Sequence, residues 1–272
     1  MARGPAEHRA SLFVPRSTLL HLVALALLTW ATAATAQTDE IQVYDGSLAD
    51  PGVFNLTLHN NYAVHGITTP AFPGALVSNH TLSGVSEWAW GINDWFEAGL
   101  YLPLYSLSHS EGLTLNGVKG RALFAVPHAD QRKFFYGVNF EFSYNTSRWD
   151  EKHFTSEIRP IVGWHLGHVD LIFNPILDNS FNGAANLDFA PATRVAYNFS
   201  PKWAGALEAY DDFGPVKHFN AGDERSHQTF AVVDYTGKSV SIEGGIGVGR
   251  TPASDDLVLK LIIAKDLKTR RR

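Results

Sequence analysis

Twelve histidines and no cysteine set the range of chemistry open to this chain of 272 residues. Without a thiol, a cysteine nucleophile, a zinc–thiolate site and a disulfide are all excluded. His165-Leu166-Gly167-His168 is the closest histidine pair with metal-like spacing. It spans a tight turn rather than one helical face, and no third ligand lies nearby in sequence, so it would bind a metal weakly. His59, His80, His109, His153, His218 and His227 are scattered near loops. A lipid hydrolase would need a nucleophile and a base within hydrogen-bond reach, and two stretches qualify for inspection: His59-Asn60 and Ser78-Asn79-His80. No G-x-S-x-G elbow is present. The glycines of GGIGVG, residues 244–249, lack the following Lys-Ser/Thr and the helix that a phosphate cradle needs. They read as small residues where a strand bends or packs closely. The expectation is therefore no catalytic set, no metal site and no cofactor.

The chain begins with Arg3, Arg9 and Arg16, then an apolar run, then Ala34-Thr35-Ala36. A basic start, an apolar middle and a small-residue exit describe an export signal over residues 1–36. That segment holds three arginines and one glutamate, so the remainder has 19 Lys+Arg against 26 Asp+Glu and a formal charge of −7. A mildly acidic protein offers nucleic acid no field, and the basic tail 267–272 reads as a solvated end. After residue 36 no apolar run approaches the roughly 20 residues of a spanning helix.

The elements that remain have period two. Strands are expected at 53–63, 80–91, 95–105, 115–126, 134–145, 153–165, 168–177, 186–198, 203–212, 227–236, 239–249 and 256–265. Short links follow the even strands and long polar links follow the odd ones. That rhythm, with an even strand count, describes an all-β, transmembrane, up-and-down antiparallel barrel of about 12 strands over 53–266. Residues 37–52 would form an N-terminal segment on the periplasmic side, and the sequence leaves open whether that segment enters the lumen as a plug. A soluble β-sandwich also alternates, but its Greek-key crossovers would not give short and long links at every hairpin.

Alternation assigns two faces. The third strand would turn Phe96, Ala98, Leu100, Leu102 and Leu104 outward. The opposite face carries Glu97, Arg121, Glu141, Glu157, Arg159, Asp170, Arg194, Glu208 and Glu243, which become the expected lining of a polar lumen. Their mixed signs fit either an ion-paired interior or a weakly selective one. Pro103, Pro160, Pro175 and Pro191 fall inside strands, where proline removes a ladder donor, so they are expected kinks in the wall. Trp88, Trp90, Trp95, Trp164, Phe199 and Trp203 cluster beside the short turns, as an interfacial girdle would.

EIQVYDGSLADPGVFNLTLHNNY, residues 40–62, and SEWAWGINDWFEAGLYLPLY, residues 86–105, resemble Gram-negative outer-membrane barrels named for a suggested role in the MetA pathway of phenol degradation. The resemblance implies an outer-membrane barrel that lets small, often aromatic or apolar, solutes pass. Its partners would be outer-membrane lipid, a small-molecule solute and the barrel-assembly machinery. The alternatives in kind are a lipid-acting barrel enzyme and a structural or receptor barrel with a closed lumen.

Overall fold

The computed structural model describes residues 40–267. The expected export signal, and the basic tail beyond residue 267, lie outside the described residues. Fourteen strands follow one another: β1 (Phe54–His65), β2 (Thr81–Asn93), β3 (Phe96–Ser108), β4 (Gly112–Ala125), β5 (Phe134–Asn145), β6 (Phe154–Leu166), β7 (Val169–Asn174), β8 (Leu177–Asn179), β9 (Asp188–Phe189), β10 (Ala192–Ser200), β11 (Trp203–Asp212), β12 (Ser226–Thr236), β13 (Ser241–Gly249) and β14 (Leu257–Leu267). Because β7 with β8, and β9 with β10, each make one pass of the wall, these are twelve spans. Every pairing is antiparallel, and β1 pairs with β14, which closes the sheet into a barrel. Closure satisfies the backbone without an exposed edge. Among the described residues no helix is long and apolar enough to cross a membrane.

The strand FFYGVNFEFSYN shows why these residues form a wall. In β5, Phe134, Tyr136, Phe140, Phe142 and Tyr144 are exposed, whereas Phe135, Asn139, Glu141, Ser143 and Asn145 are buried. The exposed face is the apolar one, the reverse of a soluble sheet. Trp88, Trp90, Trp95, Trp164, Phe199 and Trp203 are all exposed beside the short turns. Phe54 stacks on Trp90 with ring centroids 5.6 Å apart, so the girdle bridges neighbouring strands.

One face assignment needs correction. Leu104 points inward and is 2% exposed, although strict alternation sets it outward with Leu102. The β3–β4 register shifts on either side of Leu104, next to Pro103. An irregular residue of this kind exchanges the two faces of the strand beyond it.

GGIGVG lies in β13. A Cβ on Gly247 would sit 2.3 Å from the ring of Phe230, which is fully buried, so the glycine makes room for an inward aromatic.

Candidate functional site

The sequence left open whether the N-terminal segment enters the lumen. Residues 40–50 run inside the barrel. Val43 and Tyr44 are buried among Phe135, Ile161 and Ile172. The backbone of the segment has no strand beside it, so wall side chains supply its partners. Tyr44 N donates to Asn174 Oδ1 at 2.7 Å, and Asn174 Nδ2 donates to Tyr44 O at 3.0 Å. Arg159 donates to Gln42 O at 3.1 Å, Lys260 to Ile41 O at 3.3 Å, and Ala49 N to Glu97 Oε2 at 2.6 Å. At the turn end the segment leaves against Gly91, where a Cβ would lie 2.2 Å from Ala49 O. Side-chain partners of this kind leave no periodic trace, which is why the sequence does not show the plug.

Around the plug the inward charges form two groups. In the first, Arg121 reaches Glu97 and, at 2.6 Å, Glu87, which also meets His59 at 3.0 Å. Lys119 pairs with Glu141 at 2.9 Å, and Arg159 holds both oxygens of Glu157 at 2.7 and 2.9 Å while lying 4.4 Å over the Tyr44 ring. In the second, Arg194 contacts Glu208, Asp234 and Glu243, and Lys260 contacts Glu208 and Glu243. Tyr210 donates to Glu208 at 2.8 Å. Asp170 stands apart near a turn, accepting from His165 at 2.6 Å and from Asn198 at 2.7 Å. The choice left open by the mixed signs is therefore resolved: much of the interior is ion-paired. Sequence reasoning missed Glu87, Asp234 and the Tyr44–Tyr101 contact at 2.6 Å. Glu87 was accessible to it, since Glu87 alternates with the exposed Trp88.

Above the plug, a cavity of about 510 Å³ opens among the long loops. Its floor is Glu40, Ile41 and Gln42, and its walls include Glu141, Glu157, Arg159, Ile176 and Ala190. Burial, then the neighbouring Glu141 carboxylate, raises the Glu40 carboxyl above its ordinary range, while Arg159, Lys119 and His59 oppose the shift.

Three of the strand prolines meet in one row beside this cavity. The pairs Ile158↔Leu177 and Val162↔Phe173 place Pro160 opposite Pro175. The pairs Ala192↔Asn174 and Leu177↔Phe189 place Pro175 opposite Pro191. The β6 ladder stops at Ile158 and resumes at Val162, while Ile176 N turns back to Asn174 O at 3.0 Å. Three residues without a backbone N–H thus face one another across adjacent strands. Pro103 sits separately, at the irregular register of β3 and β4.

The stretches inspected for chemistry do not assemble a catalytic set. His59 is fully buried against Glu87, and Ser78 Oγ bonds Asp255 rather than His80, whose ring lies 6.3 Å from that of His65. His165 bonds Asp170 and His168 donates to Asn198 O at 3.0 Å, so the pair is spent on separate structural bonds. No group of three or more potential metal ligands occurs among the described residues.

A closed barrel of twelve antiparallel spans, an apolar outer band, aromatic girdles and a charged interior define an outer-membrane-type β-barrel. No family model and no curated protein matches the chain. Solved structures do. The COG4313 outer membrane channel from Pseudomonas putida F1 has a TM-score of 0.54 at 10% identity, over 84% of this chain and 100% of that one. The KdgM porin has a TM-score of 0.51 at 8% identity, over 79% of this chain and 99% of that one. At these identities the likeness is one of fold.

Proposed function

We propose that the chain is an outer-membrane channel for passive uptake of small solutes, aromatic and apolar ones included, with its turns in the periplasm. The observation that carries this reading is the outer cavity, floored by the plug and flanked by the proline row. Ile176 and Ala190, which border the interruption, also line the cavity. A solute resting there meets an apolar side wall with a weakened ladder, and a floor held by a short list of hydrogen bonds. Passage follows when the plug shifts or when the wall parts at Pro160, Pro175 and Pro191. Similarity in fold to a channel and a porin supports transport in general, and the phenol-pathway resemblance supports the solute class. A lipid-acting enzyme is disfavoured because neither His59 nor His80 stands beside a nucleophile.

Uptake of the apolar dye N-phenyl-1-naphthylamine by intact cells tests the reading. Cells making the barrel should brighten faster than cells without it, and Pro175→Val with Pro191→Val should slow them by restoring ladder donors. Equal rates with and without the barrel would contradict it.

A further inference from the structure

The link between β1 and β2, residues 66–80, is a long loop whose two ends are pinned together. Gly66 N donates to Asn79 Oδ1 at 3.0 Å, and Asn79 N donates to Ile67 O at 3.2 Å. Asp255, in the link between β13 and β14, accepts from Ile67 N at 2.8 Å and from Ser78 Oγ. A Cβ on Gly66 would lie 2.7 Å from Ser78 Oγ and 2.8 Å from Asn79 N, so the neck needs glycine there. Compact loops with joined ends pack through their own side chains.

This loop packs inward. Ala75 and Leu76, at its tip, are buried, and Leu76 clusters with Val85, Tyr101, Leu104 and Trp149. Val85 and Leu104 belong to the wall, and Leu104 is the residue that the register shift beside Pro103 turns inward. Bare, the two would offer apolar surface to a polar lumen, so covering them is favourable. Trp149 reaches the cluster from the opposite side, on the link between β5 and β6. That link is fixed separately: Trp149 N donates to Thr146 O at 2.9 Å, and Thr146 N to Asn116 O at 2.8 Å. Leu76 N donates to Arg148 O at 3.0 Å, which joins the two links, and Arg148 pairs with Glu111 beside β4. Phe72, Leu76 and Trp149 all line the cavity of about 510 Å³.

We propose that Leu76 and Trp149 form the size filter of this cavity. The inference rests on reading the cavity as the place where solute first lodges, and it names the residues that decide what reaches it. The neck and the Trp149 link are pinned by hydrogen bonds, whereas the tip docks through apolar contact and the Leu76 amide. Widening therefore comes from the tip. With Leu76 seated on Trp149, small molecules pass beside the indole and bulky ones are held outside until the tip lifts.

The described residues contain no cysteine, so a single introduced thiol reports access to the cavity floor. Gln42→Cys places one there. The folded barrel in detergent is treated with N-ethylmaleimide or with a neutral biotin–polyether maleimide, which share one chemistry and differ in size. The ratio of the large to the small reagent's rate cancels differences in thiol reactivity. Glu224→Cys, in an exposed loop, gives the unhindered ratio. At residue 42 the ratio should fall well below it. Adding Leu76→Asp or Trp149→Ala should raise the ratio about tenfold, because each undoes the burial that holds the tip closed. Adding Leu113→Ala, an exposed apolar residue outside the cluster, should leave it unchanged. Heat-modifiable migration on gels confirms that each variant is folded. An unhindered ratio at residue 42, a ratio unmoved by either Leu76→Asp or Trp149→Ala, or no reaction at residue 42 overturns the proposal. Labelling requires no transport, so failure of dye uptake would strike the channel reading and leave this result standing.

Discussion

Tyr44 and Asn174 hold each other by both of their available amide groups: the backbone of one and the side chain of the other exchange two hydrogen bonds, at 2.7 and 3.0 Å. Asn174 is fully buried. The pair joins the plug to the wall at the edge of the proline row. Asn174→Leu removes both bonds and buries the Tyr44 amide unpartnered, which should cost about 1–3 kcal/mol of plug docking. Hydrogen exchange should then quicken in residues 40–50 while the ladders of β1 and β14 keep their protection.

Arg159 is the other main anchor. It grips Glu157 with two bonds, donates to Gln42 O and covers the Tyr44 ring. Arg159→Ala leaves buried carboxylates without their counter-charge and should cost roughly 3–5 kcal/mol. Arg159→Lys keeps the charge but loses the fork and the flat face, so its loss should be intermediate. Urea titration of the folded barrel in lipid, read by gel migration, ranks the three.

Phe140 and Glu141 are neighbours in sequence that meet different surroundings. Phe140 is 42% exposed on the outer band, and Glu141 is buried against Lys119 at 2.9 Å. Phe140→Arg should lower barrel stability by about 2–4 kcal/mol and reduce the folded fraction in lipid. Glu141→Gln should still insert, with its effect confined to the interior. Equal insertion of Phe140→Arg and the parent would put the strand inside out.

Docking of the plug should depend on pH through Glu40. Burial and Glu141 raise its carboxyl above the ordinary value of 4.5, against the pull of Arg159, Lys119 and His59. The docked form therefore holds its proton more tightly than the released form. Docking is favoured below 4.5 and weakens as pH rises through the raised value. Protease cleavage within residues 40–50 should become faster across that rise, and Glu40→Gln should flatten the dependence.

The wall was legible because its two faces meet different solvents. β5 (Phe134–Asn145) and β11 (Trp203–Asp212) fall on the expected residues, since every second side chain states its face. Leu104 was misread because the register shift next to Pro103 is an event of pairing, not of composition. The inward charges were visible as charges, but their partners were not. Arg194 and Glu243, 49 residues apart, share a cluster that arises only from the register of four neighbouring strands, β10 to β13. The plug was the least legible part. Tyr44 and Asn174 are 130 residues apart, and a segment bonded by wall side chains carries no period of its own.

The most direct test of a plugged channel is conductance in planar bilayers, comparing the whole barrel with a variant lacking residues 40–50. The account predicts small, infrequent openings for the intact barrel and a steady, several-fold larger conductance once the plug is gone. The same conductance in both would mean that the segment does not close the lumen, and would contradict the account.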